Sequence, residues 1–240
     1  FLWHNQRMKR KKPQTWIFIV WSFLALLGLG FWGLSAYKRE PSATLMIDAG
    51  HGGYDSGAIG ADQTTLEKDL TMEIAYKIGQ QVRQLDPSIE VLFTRLDDNV
   101  DWPHEETADL QARIDQTIQK GADCFLSIHL NASSNPDAFG YDAFVRPNDA
   151  FSMAAASRIV ENLEAISYSA NRGTKSTLDA PLMVVDNQSI PSMLMEVGFV
   201  SNPAELEALK SPVTQNRVAK AIARAYVDTM HEFFKEEETQ

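Results

Sequence analysis

The sequence predicts an α/β domain, a single largely parallel sheet flanked by helices on both faces, preceded by one transmembrane helix. Three observations carry this reading. Short apolar runs of strand length alternate with longer segments of helical period from residue 44 to residue 234, and such alternation builds parallel sheets from strand–helix units. No internal repeat interrupts it, and the span suits one hydrophobic core. An uncharged, mostly apolar stretch of 21 residues, 16–36, lies ahead of it.

At about 1.5 Å per residue that stretch can cross a hydrocarbon core of about 30 Å. The basic cluster from Arg7 to Lys12 marks the side expected to stay in the cytoplasm, so everything after the span is expected outside it. Leu34-Ser35-Ala36 is a poor cleavage site and the apolar run exceeds a signal-peptide core, which favours an uncleaved anchor. The expected organisation is a basic N-terminus (1–15), an anchor (16–36), a linker (37–43), a globular domain (44–234) and an acidic tail (235–240).

Within the domain, residues 44–49 read as a first strand ending in a glycine-rich turn. Leu66, Leu70, Ile74, Ile78, Val82 and Leu85 then line one face of a helix that stops before Pro87. Residues 90–94 read as a strand and 107–120 as a helix with Leu110, Ile114 and Ile118 on one face. Strands are expected at 124–129, 141–145, 182–185 and 193–197, and helices at 150–166 and 213–234. Residues 171–173 read as a loop.

Charge narrows the partners. The chain has 32 acidic and 22 basic residues, and seven of the basic ones precede Glu40, the first acidic residue. The domain is therefore strongly acidic and carries no basic stripe interleaved with aromatics, which argues against nucleic acid. Cys124 is the sole cysteine, so no intrachain disulfide or cysteine-rich metal site is available; its apolar setting reads as a buried small hydrophobe.

In open α/β sheets, functional groups gather beyond the carboxyl ends of the strands. The first strand delivers His51 between glycines, the 124–129 strand ends in His129 and Asn131, and the 193–197 strand carries Glu196. Glu67 stands at the start of the first helix. Two imidazoles and a carboxylate suit catalytic zinc, with a fourth position left for water. Each has a structural alternative: His51 and His129 as ordinary turn or strand-end residues, and Glu67 as the partner of Thr64 in a capping box. Glu196 fits a structural role least well, because a carboxylate in the run Met193-Leu194-Met195-Glu196-Val197 is costly to bury without a partner or a task.

The segment Asp48-Ala49-Gly50-His51-Gly52-Gly53-Tyr54-Asp55-Ser56-Gly57-Ala58 resembles the opening motif of the zinc-dependent N-acetylmuramoyl-L-alanine amidases. Glu67-Lys68-Asp69-Leu70, Thr94-Arg95, Leu110 with Arg113, Ser127-Ile128-His129-Leu130-Asn131-Ala132, Asn171-Arg172-Gly173 and Glu196-Val197-Gly198-Phe199-Val200-Ser201-Asn202 follow in the family's order. The resemblance implies a Zn2+ ion held by His51, Glu67 and His129, Glu196 as catalytic acid/base, and hydrolysis of the amide joining N-acetylmuramic acid to L-alanine in peptidoglycan. Asn131 and Arg172 are candidate substrate contacts, Arg172 toward stem-peptide carboxylates. Asp48 or Asn131 is expected to hold the second ring nitrogen of a ligating histidine. Residues 131–150 leave little room for the long inhibitory helix of some relatives, so an activator protein is possible but not required. A zinc peptidase cutting within the stem peptide, or a wall-binding relative without catalysis, are the alternatives.

Overall fold

A computed structural model of the protein describes residues 41–234. The expected N-terminus, anchor and acidic tail, and the linker before Pro41, lie outside the described residues. Among the described residues no helix is long and apolar enough to cross a membrane.

The strands are β1 (Ala43–Ala49), β2 (Ile89–Phe93), β3 (Cys124–Asn131), β4 (Tyr141–Val145), β5 (Asn171–Ser176) and β6 (Ser192–Phe199). The helices are α1 (Glu67–Leu85), α2 (Glu106–Gln119), α3 (Ala150–Ala165), α4 (Met183–Asp186), α5 (Pro203–Lys210) and α6 (Pro212–Phe234). One six-stranded sheet has the order β2-β1-β3-β6-β4-β5. β2, β1, β3 and β6 run parallel. β4 turns antiparallel to β6, and β5 follows β4 in parallel. The α/β expectation holds, and the single reversal proves decisive for the site.

Strand side chains alternate between faces, and here the faces differ. Leu45, Ile47, Leu126, Ile128, Met193 and Met195 point into the main core, packed by helices that include α1, α3 and α6. Met46, Phe125 and Leu194 point the other way into a smaller cluster, with Val184 and Val185 of α4 and Leu110 of α2 packed on it. Asp48, Ser127, His129 and Glu196 share the parity of this second face, and its lighter cover leaves the strand ends reachable.

Two expectations fail for local reasons. The strand expected at 182–185 is instead helix α4 with Leu182 as its N-cap, because a four-residue apolar run carries no period to separate the two. The Asp186 carboxylate accepts from the Leu182 amide, which closes the turn. Residues 171–173 open edge strand β5 rather than a loop; its polar sequence Asn-Arg-Gly-Thr-Lys-Ser lacks apolar alternation because only one strand covers it. Helix α5, not anticipated, starts where the Asn202 side chain accepts from the Ala204 and Glu205 amides, with Pro203 in the first turn.

Candidate metal centre and active site

The turn after β1 is built to hold one histidine. His51 adopts φ 62°, a left-handed conformation costly for a residue with a Cβ, and Gly52 and Gly53 continue the left-handed path. Two buried arginines hold this backbone. Arg95 donates to the carbonyls of Ala49 and Gly50, and Arg113 donates to those of Ala49 and His51. A Cβ on Gly52 would lie 2.7 Å from Arg95 Nε, and one on Gly50 would lie 2.4 Å from the His129 ring, so both glycines serve close approach.

Beneath the turn, Asp48 is buried. It accepts from Thr94 and Ser127 at 2.7 and 2.6 Å and from Arg113 at 2.8 Å. Burial alone would raise its carboxyl, but Arg113, Ser127 and Thr94 outweigh burial and hold it at about 2. Arg113 also binds Asp109 at 2.7 Å and stacks on Trp102. The motif residues Thr94, Arg95 and Arg113 thus form the scaffold of the turn.

His51, Glu67 and His129 converge. His51 Nε2 lies 3.0 Å from Glu67 Oε1, His129 Nδ1 lies 3.3 Å from the same oxygen, and the two nitrogens are 3.1 Å apart. Neutral imidazoles presenting lone pairs to each other and to a carboxylate repel unless a proton or cation lies between them. A tetrahedral zinc ion with ligands at about 2.0–2.1 Å has ligand–ligand edges of about 3.3 Å, so the donor set fits such a cation. Burial disfavours a charged His51, but Glu67 and Asp55 outweigh it and push its pKa up to about 9. Glu67 in turn stays well below the usual carboxylate range, since its contacts with His129 and His51 overcome the burial that would raise it.

The expected supporting contacts need correction. The second ring nitrogen of His51 meets Asp55 Oδ2 at 2.7 Å, not Asp48 or Asn131. Asp55 sits four residues along the same glycine-rich turn, a spacing legible only once the turn's path is known. Glu67 does not close a capping box with Thr64, whose amide donates to Asp62. Its oxygens accept instead from the amides of Ala58 and Leu130 at 2.9 and 2.8 Å, which fixes the carboxylate toward the histidines.

Glu196 lies opposite His129 across the β3–β6 ladder. Its Oε2 is buried with no hydrogen-bond partner among the described residues. Burial first, then the nearby carboxylates of Glu67 and Asp142, push its pKa up to about 8. The group is therefore a carboxyl able to hold or release a proton near neutrality, beside three convergent donor atoms. A cleft of about 510 Å³ opens beside His51 and His129, lined in part by Tyr54, Asp55, Leu110, Leu182 and Met183. Asn131 Nδ2, on the strand of His129, donates to Asp142 at 3.2 Å, and Arg172 Nε contacts Asp142 at the same distance from β5, so both substrate-contact candidates meet at this carboxylate next to Glu196. Cys124 is buried, as expected.

A family model described as N-acetylmuramoyl-L-alanine amidase matches residues 45–227. The germination-specific N-acetylmuramoyl-L-alanine amidase of Bacillus subtilis is 31% identical over 185 residues, spanning 74% of this chain and 76% of that protein. N-acetylmuramoyl-L-alanine amidase AmiA of Escherichia coli is 26% identical, spanning 82% of this chain and 80% of that protein. The catalytic domain of the amidase CwlV from Bacillus (Paenibacillus) polymyxa superposes with a TM-score of 0.68 at 30% identity, covering 80% of this chain and 98% of its own. The CwlD amidase of Clostridioides difficile, solved in complex with the GerS lipoprotein, gives 0.72 at 29% identity, covering 79% and 99%. The chain belongs to the N-acetylmuramoyl-L-alanine amidase family.

Proposed function

We propose that this protein hydrolyses the amide bond between the lactyl group of N-acetylmuramic acid and L-alanine of the peptidoglycan stem peptide, with zinc held by His51, Glu67 and His129. The observation that carries the proposal is the convergence of those three donor atoms beside the unpartnered Oε2 of Glu196. Bound there, the ion supplies Lewis-acid polarisation of the scissile carbonyl and lowers the pKa of water in the site.

The protein's own residues do the rest. Glu196 takes the proton of the attacking water and delivers it to the alanine nitrogen as the C–N bond breaks, a transfer suited to a carboxyl whose affinity for protons is raised. Asp55 fixes the His51 ring so that Nε2 faces the donor set. The two backbone amides on Glu67 keep its carboxylate from swinging away.

Metal binding carries a pH signature. Because His51 holds a proton up to about 9 in the metal-free site, a cation must displace it. Apparent zinc affinity should therefore rise about tenfold per pH unit below 9, with about one proton released per ion bound near neutrality. Calorimetry in buffers of different ionisation enthalpy checks this; affinity independent of pH, or no proton release, contradicts it.

The apolar stretch 16–36 tethers the enzyme as a single-pass anchor with the domain outside the cytoplasm, where peptidoglycan lies. The domain is expected to be open without an activator protein, a partner remaining possible but not required; the placement of β4 and its connections between residues 131 and 150, with no long helix there, supports this. Partner-independent hydrolysis by the purified protein supports this; activity only after adding another protein contradicts it.

A further inference from the structure

The reversal of β4 brings a row of charged side chains across four neighbouring strands. His129 on β3 lies opposite Glu196 on β6, and Glu196 lies opposite Asp142 on β4. Asp142 is fully buried, and both Arg172 Nε and Lys175 Nζ of β5 reach its Oδ2, at 3.2 and 2.5 Å. Lys175 also lies over the ring of Phe144, and Arg172 over that of Phe199. Aromatic contacts and the aspartate hold both cations while leaving their side chains 39% and 40% exposed.

Two cations share the Asp142 carboxylate, while the nearby Glu164 and Glu205 accept from Asn171 and from Gly140 and Ser169. Arg172 Nη2 makes no hydrogen bond among the described residues, and Lys175 uses one of its three donors on Asp142. The opposite flank, toward the cleft, carries Glu106 together with two acids that already have partners, Asp55 on His51 and Asp109 on Arg113. Arg172 and Lys175 thus offer a carboxylate on a bound peptide two partly exposed cations with unused donors beside Glu196.

Distance selects which carboxylate. Neighbouring strands are about 4.8 Å apart, so the cations stand roughly 5–10 Å from Glu196. A peptide advances about 3.5 Å per extended residue, which puts an acidic group on the second residue of the stem about 7 Å from the leaving nitrogen.

We propose that Arg172 and Lys175, positioned by Asp142, form a subsite for a free carboxylate on the second stem residue, so that the enzyme prefers D-glutamate there over the uncharged D-isoglutamine. Asp142 is the positioning residue and Lys175 the specificity determinant. The inference rests on the amidase reading of the neighbouring site.

The test compares release of stem peptides from peptidoglycan carrying D-glutamate with release from the same polymer carrying D-isoglutamine, for the zinc-loaded wild type, Lys175→Met, Lys175→Arg and Arg172→Met. Losing a charge-assisted hydrogen bond changes discrimination by roughly tenfold. The expected result is a wild-type kcat/KM ratio of about ten in favour of the acid form, expressed mainly in KM, falling toward one in Lys175→Met and Arg172→Met and retained in Lys175→Arg. Circular dichroism of each variant checks its folding. A wild-type ratio near one, or a preference unchanged in both methionine variants, overturns the inference while leaving the amidase reading intact. Release from neither polymer overturns both. Binding of the free peptide L-alanyl-γ-D-glutamate, compared with its amidated form, gives the same discrimination without turnover; equal affinity for the two counts against the subsite.

Discussion

Replacing Glu196 by glutamine is expected to abolish hydrolysis and yet stabilise the metal-free protein. Glutamine keeps the shape of the side chain but cannot accept the water proton or return it to the leaving amine, so kcat should fall by roughly 10²–10⁴. The stabilisation follows from the raised pKa. In the folded state Glu196 titrates at about 8 rather than 4.5, so between these values the native protein holds a proton that the unfolded chain has lost. Stability therefore falls as pH rises from 4.5 to 8, and glutamine removes that penalty. Glu196→Gln should match the wild type near pH 4.5 and exceed it by about 2–4 kcal/mol above pH 8, or roughly 5–10 °C in Tm. A variant that is no more stable at pH 8 than at pH 4.5, relative to wild type, contradicts the assignment of Glu196 as a buried acid kept for chemistry at a cost in stability.

The second large effect lies beneath the turn. Arg113→Met is expected to destabilise the domain by about 3–5 kcal/mol, because it leaves the buried carboxylates of Asp48 and Asp109 without their shared partner. It also frees the His51 carbonyl and leaves that of Ala49 to Arg95 alone, so zinc affinity should drop with stability. In the wild type the folded pKa of Asp48 is depressed to about 2 from 3.8. Its contribution is present above pH 3.8 and is lost as pH falls toward 2. The gap between wild type and variant should therefore be widest near neutrality and narrow below pH 4. A loss of Tm that stays constant with pH points to packing alone and removes the electrostatic account of the turn.

How much of this was legible in the sequence depends on the range of the physics involved. The long helices declared themselves through the four-residue spacing of Leu70, Ile74 and Ile78, and β1 and β3 through apolar runs that end in His51 and His129. Of the four residues of the central site only Glu196 stood out by itself, as a carboxylate in an apolar strand; His51, His129 and Glu67 each had a structural alternative and became legible through the family motifs around them. Of the flank, Arg172 was legible through the Asn171-Arg172-Gly173 motif, and Asp142 and Lys175 were not. Asp142 lies in Tyr-Asp-Ala-Phe-Val, the same pattern of a lone acid in an apolar strand that singled out Glu196. Its importance depends on β4 running antiparallel, which puts its amino end beside the carboxyl end of β6, and no local period encodes that pairing. Asp55 was missed for a related reason. Its proximity to His51 comes from a left-handed turn, whereas Asp48, the nearer guess, points below the turn toward Arg113.

The central claim is that the cluster of His51, Glu67, His129 and Glu196 cuts at the junction of glycan and peptide. Mass analysis of the fragments released from purified peptidoglycan by the zinc-loaded protein tests it most directly. The account predicts intact stem peptides with a free N-terminal L-alanine, abolished by a chelator, restored by zinc and absent with Glu196→Gln. Fragments cut between residues of the stem peptide, or release unaffected by the chelator, would contradict it.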